Sequence, residues 1–178
     1  FLHVCYHCRV ILFLFMLLDV PLGGPSFFFV TGLAGGFGFN RNLILPGQDE
    51  VASFPLVAGA LNPAGTFPSG GSSQEGVEDA LNIMEKYIPP KYQEYWLAAG
   101  VRFTSFELIQ SFALVTVAFG VDFELALIGI SRLAIPNPND DDDGRPIVFT
   151  ELDVEVRYNP AQGVLTASAV INPNSYLL

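Results

Sequence analysis

"PIVFTELDVEVRY", Pro146 to Tyr158, alternates without a break. Val148, Thr150, Leu152, Val154, Val156 and Tyr158 fall on one side of an extended chain, and Phe149, Glu151, Asp153, Glu155 and Arg157 fall on the other. A period of two belongs to a strand, and charge gathered on one side predicts a sheet with one buried and one wet face. On that reading Asp122, Glu124, Glu151, Asp153 and Glu155, interspersed with Arg132 and Arg157, are cross-strand charge pairs in water and form no catalytic cluster.

Working outward, four more stretches read as strands joined by short turns: Tyr95 to Thr104, Phe106 to Phe119, Val121 to Ile135 and Gly163 to Asn172. Asn159-Pro160-Ala161-Gln162-Gly163 suits a hairpin loop, with Pro at the second turn position and Gly at its exit. The stretch from Phe106 differs from the wet-faced strand. Phe106, Leu108, Phe112 and Leu114 share one side, while Ile109, Val115, Val117 and Phe119 fill the opposite one, so it demands cover on both sides. Ser72 with Glu75 forms a capping box ahead of Val77, Ala80, Leu81, Met84 and Ile88, and Pro89-Pro90 ends the run, which predicts one short helix over about residues 73–88. Between Arg41 and Gln74 the Pro/Gly punctuation predicts irregular chain, with Phe54 to Leu61 tucked against the core. The expected fold is mainly β: an antiparallel meander in two layers, with the helix covering one side of the sheet and the Phe-rich first strands the other.

"VTGLAGGFGFNRNL", Val30 to Leu43, lies in those first strands, expected over Phe27 to Leu33 and Gly36 to Phe39. Its glycines do not make a dinucleotide fingerprint, because Arg41 stands where the third glycine belongs and no helix pattern follows. They read instead as places where a sheet bends or a neighbour comes close.

Composition narrows the function. The 178-residue chain carries 18 Asp+Glu against 8 Lys+Arg, a formal net charge of -10, which excludes the basic stripe that nucleic acid requires and disfavours anionic membrane surfaces. Both cysteines (Cys5, Cys8) and both histidines (His3, His7) fall in the first eight residues, too crowded to close a zinc tetrahedron, so Ser-His-Asp and Cys-His chemistry is unavailable to the rest of the chain. Residues 1–23 stand apart in composition. Val10 to Leu18 is an apolar run shorter than a membrane span, read as sequence foreign to the domain over 24–178, with a membrane-directed segment making contact through residues 1–18, or a buried strand or helix, as the alternatives.

Two polar constellations invite chemistry. Glu94, among Tyr92, Tyr95 and Trp96, could pair with Glu107 as the two acids of a sugar-binding or glycosidase cleft. In "PNPNDDDDGRP", Asn139, Asp141 and Asp143 followed by Gly144 reproduce the first half of a calcium loop, but the twelfth position is Thr150 rather than a carboxylate. The plainer reading is a solvated acidic loop between strands.

"FFFVTGLAGGFGFNRNL", "FPLVAGAL", "YWLAAGVRFTSFE" and "INPNSYLL" resemble the recurring phrases of an uncharacterised family known only as a domain of unknown function, found in very long bacterial and fungal proteins. The resemblance covers roughly residues 24–178 and implies a fragment of a larger sheet protein, with no catalytic residue to transfer. The expectation is a non-catalytic structural or protein-interaction segment that needs no cofactor, associates with other β-rich segments or with itself, and predicts self-association of the isolated chain. A carrier of a lipid or other apolar ligand is the alternative, and a calcium-stabilised or carbohydrate-binding β domain the next. Compartment is left open, since the chain has neither an Asn-x-Ser/Thr sequon nor a cysteine framework.

Overall fold

A computed structural model describes residues 11–47, 50–61, 82, 85–136 and 146–178. Among these residues eight strands form one antiparallel sheet: β1 (Leu12–Leu18), β2 (Phe29–Arg41), β3 (Pro90–Ser105), β4 (Ile109–Phe119), β5 (Glu124–Ile135), β6 (Val148–Asn159), β7 (Val164–Ile171) and β8 (Tyr176–Leu177). The first seven lie side by side in sequence order, and β8 pairs with the start of β6 through Val148↔Leu177. The antiparallel meander read from the alternation is therefore present.

Its connections follow local chemistry. The β6–β7 hairpin closes where Gly163, at φ +65, donates its N–H to the Pro160 carbonyl at 3.2 Å. Between β3 and β4, Phe106 (φ 53) and Glu107 (φ 61) are both left-handed, and the Leu108 N–H reaches the Ser105 carbonyl at 3.1 Å. That is a type I′ hairpin turn, made here without the Asn-Gly it favours.

The Phe-rich first strands are placed differently from the expectation. They form one continuous 13-residue strand, β2, which pairs edge-on with β3 from Phe29↔Thr104 to Arg41↔Pro90, and β1 pairs in turn with β2 from Leu12↔Phe39 to Leu18↔Leu33. Backbone hydrogen bonding draws these strands into the plane of the sheet, so they cannot cap its second side.

One side is covered by chain between β2 and β3. A 3₁₀ turn (Val51–Ser53) leads into helix α1 (Pro55–Leu61), whose Pro55, Leu56, Val57, Gly59 and Ala60 are buried. This is the stretch expected to be tucked irregularly against the core. Phe54, the residue before it, has no polar side chain with which to cap it, and its helicity rests on Pro55 at the first helical position and on the burial of its apolar side chains. Of the helix expected over 73–88, the described part is Asn82 and residues 85–88; Asn82 and 85–87 are helical, and Tyr87 and Ile88 are buried. Val51, Phe54, Leu56, Val57, Tyr87 and Ile88 meet Trp96, Phe112, Leu114, Ile128 and Ile130 of the sheet in one core, with Phe13, Phe15 and Leu17 of β1 against its margin.

The glycines of β2 serve that core. A Cβ on Gly38 would stand 2.1 Å from Trp96 Nε1, and one on Gly36 would stand 2.9 Å from the Phe15 ring and 2.9 Å from the Leu14 carbonyl oxygen. Close approach is thus the reason for these glycines, as read from sequence, and at Gly38 what approaches is an indole ring.

Candidate functional site

The two faces of the sheet reverse the expectation drawn from β6. Glu151, Asp153 and Glu155 are 5%, 3% and 7% exposed, whereas Leu152 and Tyr158, on the opposite side of the same strand, are 36% and 39% exposed. The charged side lies beneath the cover and the apolar side is open.

Burying Glu151 and Glu155 is tolerable because they are partnered. Glu151 pairs with Arg132 across the β5–β6 ladder and accepts a 2.6 Å hydrogen bond from Asn172 Nδ2. Glu155 pairs with Arg157, which also donates to the Pro46 carbonyl at 2.7 Å, tying the sheet to the cover. Arg102 acts likewise nearer the other edge, pairing with Asp19 and donating to the Ala60 carbonyl of α1 at 3.2 Å. Arg41 reaches the Ile88 carbonyl at 2.6 Å. Arg157, Arg102 and Arg41 hold the cover on. At the rim of the cover, Tyr87 donates to Glu50 Oε2 at 3.2 Å, and its hydroxyl, accepting from Lys86 at 3.0 Å, raises the Lys86 pKa above the ordinary lysine value, with Glu50 adding to the effect.

The open face can be followed through the register. One row across it runs Phe37, Leu97, Val117, Leu125, Tyr158 and Leu165 from β2 to β7. The next runs Gly35, Ala99, Val115, Leu127, Val156 and Ala167, and the one after it Leu33, Val101, Ala113, Gly129, Val154 and Ala169. Leu14, Met16 and Leu18 extend these rows onto β1. Phe39, Tyr95 and Phe119 line one end with ring centroids 5.0 Å and 5.7 Å apart. At the other end Phe103 packs on Phe28 at 4.5 Å, and the hydroxyls of Ser111 and Ser131 hydrogen-bond to each other at 2.9 Å. No charged side chain stands in these rows. With six interstrand spacings of about 4.8 Å and eight residue steps of about 3.3 Å from Tyr95 to Phe103, the face measures roughly 29 by 26 Å. That is roughly 750 Å² in projection, above the few hundred Å² of the largest apolar patch on a typical monomer.

The residues singled out from sequence do not meet on a catalytic geometry. Glu94 is buried near the start of β3 and holds Lys91 Nζ at 3.1 Å, while Glu107 sits in the turn past the far end of the same strand. Eleven steps along β3 separate Glu94 from Ser105 alone, roughly 36 Å at about 3.3 Å per residue, against the 5–10 Å that two glycosidase acids need. A paired carboxylate cleft is thereby excluded for these two. Glu94 does line a cavity of about 300 Å³ with Lys91, Asp122, Glu124 and Arg157, a mouth of mixed charge at the margin of the cover. The calcium-loop residues Asn139, Asp141 and Asp143 lie outside the described residues, as do Cys5, Cys8, His3 and His7. Among the described residues no group of three or more His, Cys, Asp or Glu is placed to hold a metal ion, and no helix is long and apolar enough to cross a membrane.

Comparison with protein families decides the relationship: residues 9–178 match DUF6603, a family of unknown function. The chain belongs to the DUF6603 family. The family resemblance read from the β2, α1, β3 and terminal phrases is thus shown, and the match to DUF6603 takes in β1 as well, within the segment that composition sets apart. Neither the curated proteins nor the solved structures contain a match to this DUF6603 chain.

What sequence reasoning missed was the identity of the open face. The signal lay in β4 and β5, where both sides are apolar: Leu125 and Leu127 alternate with Ala126 and Ile128 just as Ala113 and Val115 alternate with Phe112 and Leu114. Two apolar sides and a single cover leave one side open.

Proposed function

We propose that this DUF6603 chain is a non-catalytic interaction segment whose function is to present an apolar sheet face to an apolar partner. The observation that supports the reading is the contrast between faces: the carboxylates Glu151, Asp153 and Glu155 are buried on the covered side while Leu33, Leu97, Val115, Leu127 and Leu152 stand exposed across β2 to β6. A chain stabilised only for itself would put its charges in water and its leucines beneath α1, since each fully buried leucine or valine contributes roughly 1.5–3 kcal/mol. Retaining the opposite arrangement is what a docking face requires. Cavities lined by Asn42 to Leu45 with Glu94, by Thr31 with Arg102 and Phe103, and by Asn40 with Pro90 take no residue from the three central rows, which supports reading those rows as a broad surface.

The test is protection of Val115. With Cys5 and Cys8 replaced by serine, Val115→Cys is expected to react with a maleimide at least tenfold more slowly than Val121→Cys, which lies in the exposed β4–β5 turn. Equal rates at the two positions would show a face that nothing covers and would remove the proposal.

A further inference from the structure

We infer that the occupant of the open face is a second copy of this chain, docked sheet to sheet with the two covers outermost; this rests on the reading of the face as a docking surface. Three observations on the molecule select this partner.

The first is size. The face projects to roughly 750 Å² by the strand spacings, close to the roughly 800 Å² per partner of a standard stable interface. An identical sheet matches it in width and length.

The second is charge. The chain carries a formal net charge of -10, and close approach of two such molecules is opposed wherever carboxylates face each other. The open rows from β1 to β7 hold no charged side chain, and Glu151, Asp153 and Glu155 all point to the covered side of their strand. Among the described residues, contact through these rows is therefore one that two copies can make without bringing carboxylate against carboxylate. The remaining repulsion is long-range and screened by salt within about 10 Å at 0.1 M.

The third is shape. Small ligands bind in concave sites, whereas the cavities around Glu94, Arg102 and Tyr92 take no residue from the central rows. Sheets, in contrast, pack face to face about 10 Å apart with strands nearly aligned, interdigitating apolar side chains from both inner surfaces. Two copies of this sheet would make such a sandwich, isologous about a two-fold axis.

Sedimentation equilibrium of the full chain tests the inference. The expected mass is twice 19.3 kDa, with association strengthened when salt is raised from 50 to 500 mM. Leu127→Glu on the open face is expected to give the single-chain mass with an unchanged strand signature by circular dichroism, and Val121→Glu in the β4–β5 turn to leave the doubled mass in place. Should Leu127→Glu unfold, Val115→Lys and the salt response of the parent chain provide the same readout. A single-chain mass at 100 µM overturns the inference, as does a doubled mass that Leu127→Glu and Val115→Lys both leave intact, because association would then run through the β1 or β7 edge. A single-chain mass carrying a lipid in native mass spectrometry overturns it too. If Val115→Cys is nevertheless protected from maleimide in that case, the docking reading stands and only the choice of partner falls.

Discussion

Adding one methyl group at Gly38 tests the packing of the sheet against its cover. An alanine Cβ there would lie 2.1 Å from Trp96 Nε1, 2.5 Å from Cε2 and 2.7 Å from Cδ1. Trp96 is 1% exposed and sits in the core shared by the sheet and the cover. The ring would have to retreat by more than 1 Å into neighbours that are themselves fully packed, at the upper end of the 1–3 kcal/mol that overpacking costs, so about 3 kcal/mol. For a domain of 150–250 residues each kcal/mol shifts the melting temperature by 2–4 °C, which gives a fall of about 6–12 °C. Thermal denaturation followed by circular dichroism, or the urea midpoint, reads this directly. Gly47→Ala, whose Cβ meets nothing within 4 Å, should change stability by no more than about 0.5 kcal/mol. Trp96→Phe removes the crowding atoms and should cost at least about 1 kcal/mol less in the Gly38→Ala background than alone. A Gly38→Ala chain melting within about 1 °C of the parent, or a Trp96→Phe cost identical in both backgrounds, would refute the close-approach account of these glycines.

Four further outcomes follow from the same architecture. Starting the chain at Gly24 removes β1, strips Phe13, Phe15 and Leu17 from the core margin and leaves β2 as an unpaired edge, so the shortened chain is expected to unfold or precipitate at 25 °C; an unchanged melting temperature would show the first 23 residues to be foreign to the domain. Arg157→Met leaves Glu155 buried without its partner and frees the Pro46 carbonyl, and with Arg157 about a third exposed the expected loss is about 2 kcal/mol by urea denaturation; a loss below about 0.5 kcal/mol would remove Arg157 as a tie. Glu107→Gly relieves a left-handed non-glycine residue in the type I′ turn and should stabilise by about 0.5–1 kcal/mol, whereas destabilisation would contradict the turn assignment. Calorimetric titration with calcium up to millimolar concentration is expected to give no heat, since Thr150 stands where the loop needs a bidentate carboxylate; heat abolished by Asp143→Asn would establish a calcium loop.

Much of the sheet was legible because alternation is a local property. Val148 to Tyr158 and Val164 to Ile171 announce themselves as strands, and Pro160 with Gly163 fixes the hairpin between them. Helix α1 was hidden because Pro55 to Leu61 carries neither cap nor charge, so nothing local separates a buried helix from buried irregular chain. The orientation of the sheet was hidden for a deeper reason. Alternation defines two faces but leaves open which one a distant segment will cover, and the rule that charge faces water fails when arginines reach the carboxylates. Arg132 meets Glu151 across a ladder and Arg157 reaches Pro46 over 111 residues of chain, contacts that no local pattern encodes. The same limit applied to Glu94 and Glu107, whose closeness in sequence becomes most of the length of β3 in space.

Leu127 and Ile128, neighbours on β5, are 37% and 0% exposed and face opposite sides of the sheet. Cysteine at each position, labelled with a maleimide over a dilution series from 100 µM to 10 nM, reads both faces at once. The prediction is that Leu127→Cys becomes progressively reactive as the chain is diluted and its partner leaves, while Ile128→Cys stays protected in the core beneath the cover throughout. Equal reactivity of the two at every concentration, or protection of Leu127→Cys with exposure of Ile128→Cys, would contradict the assignment of the open face.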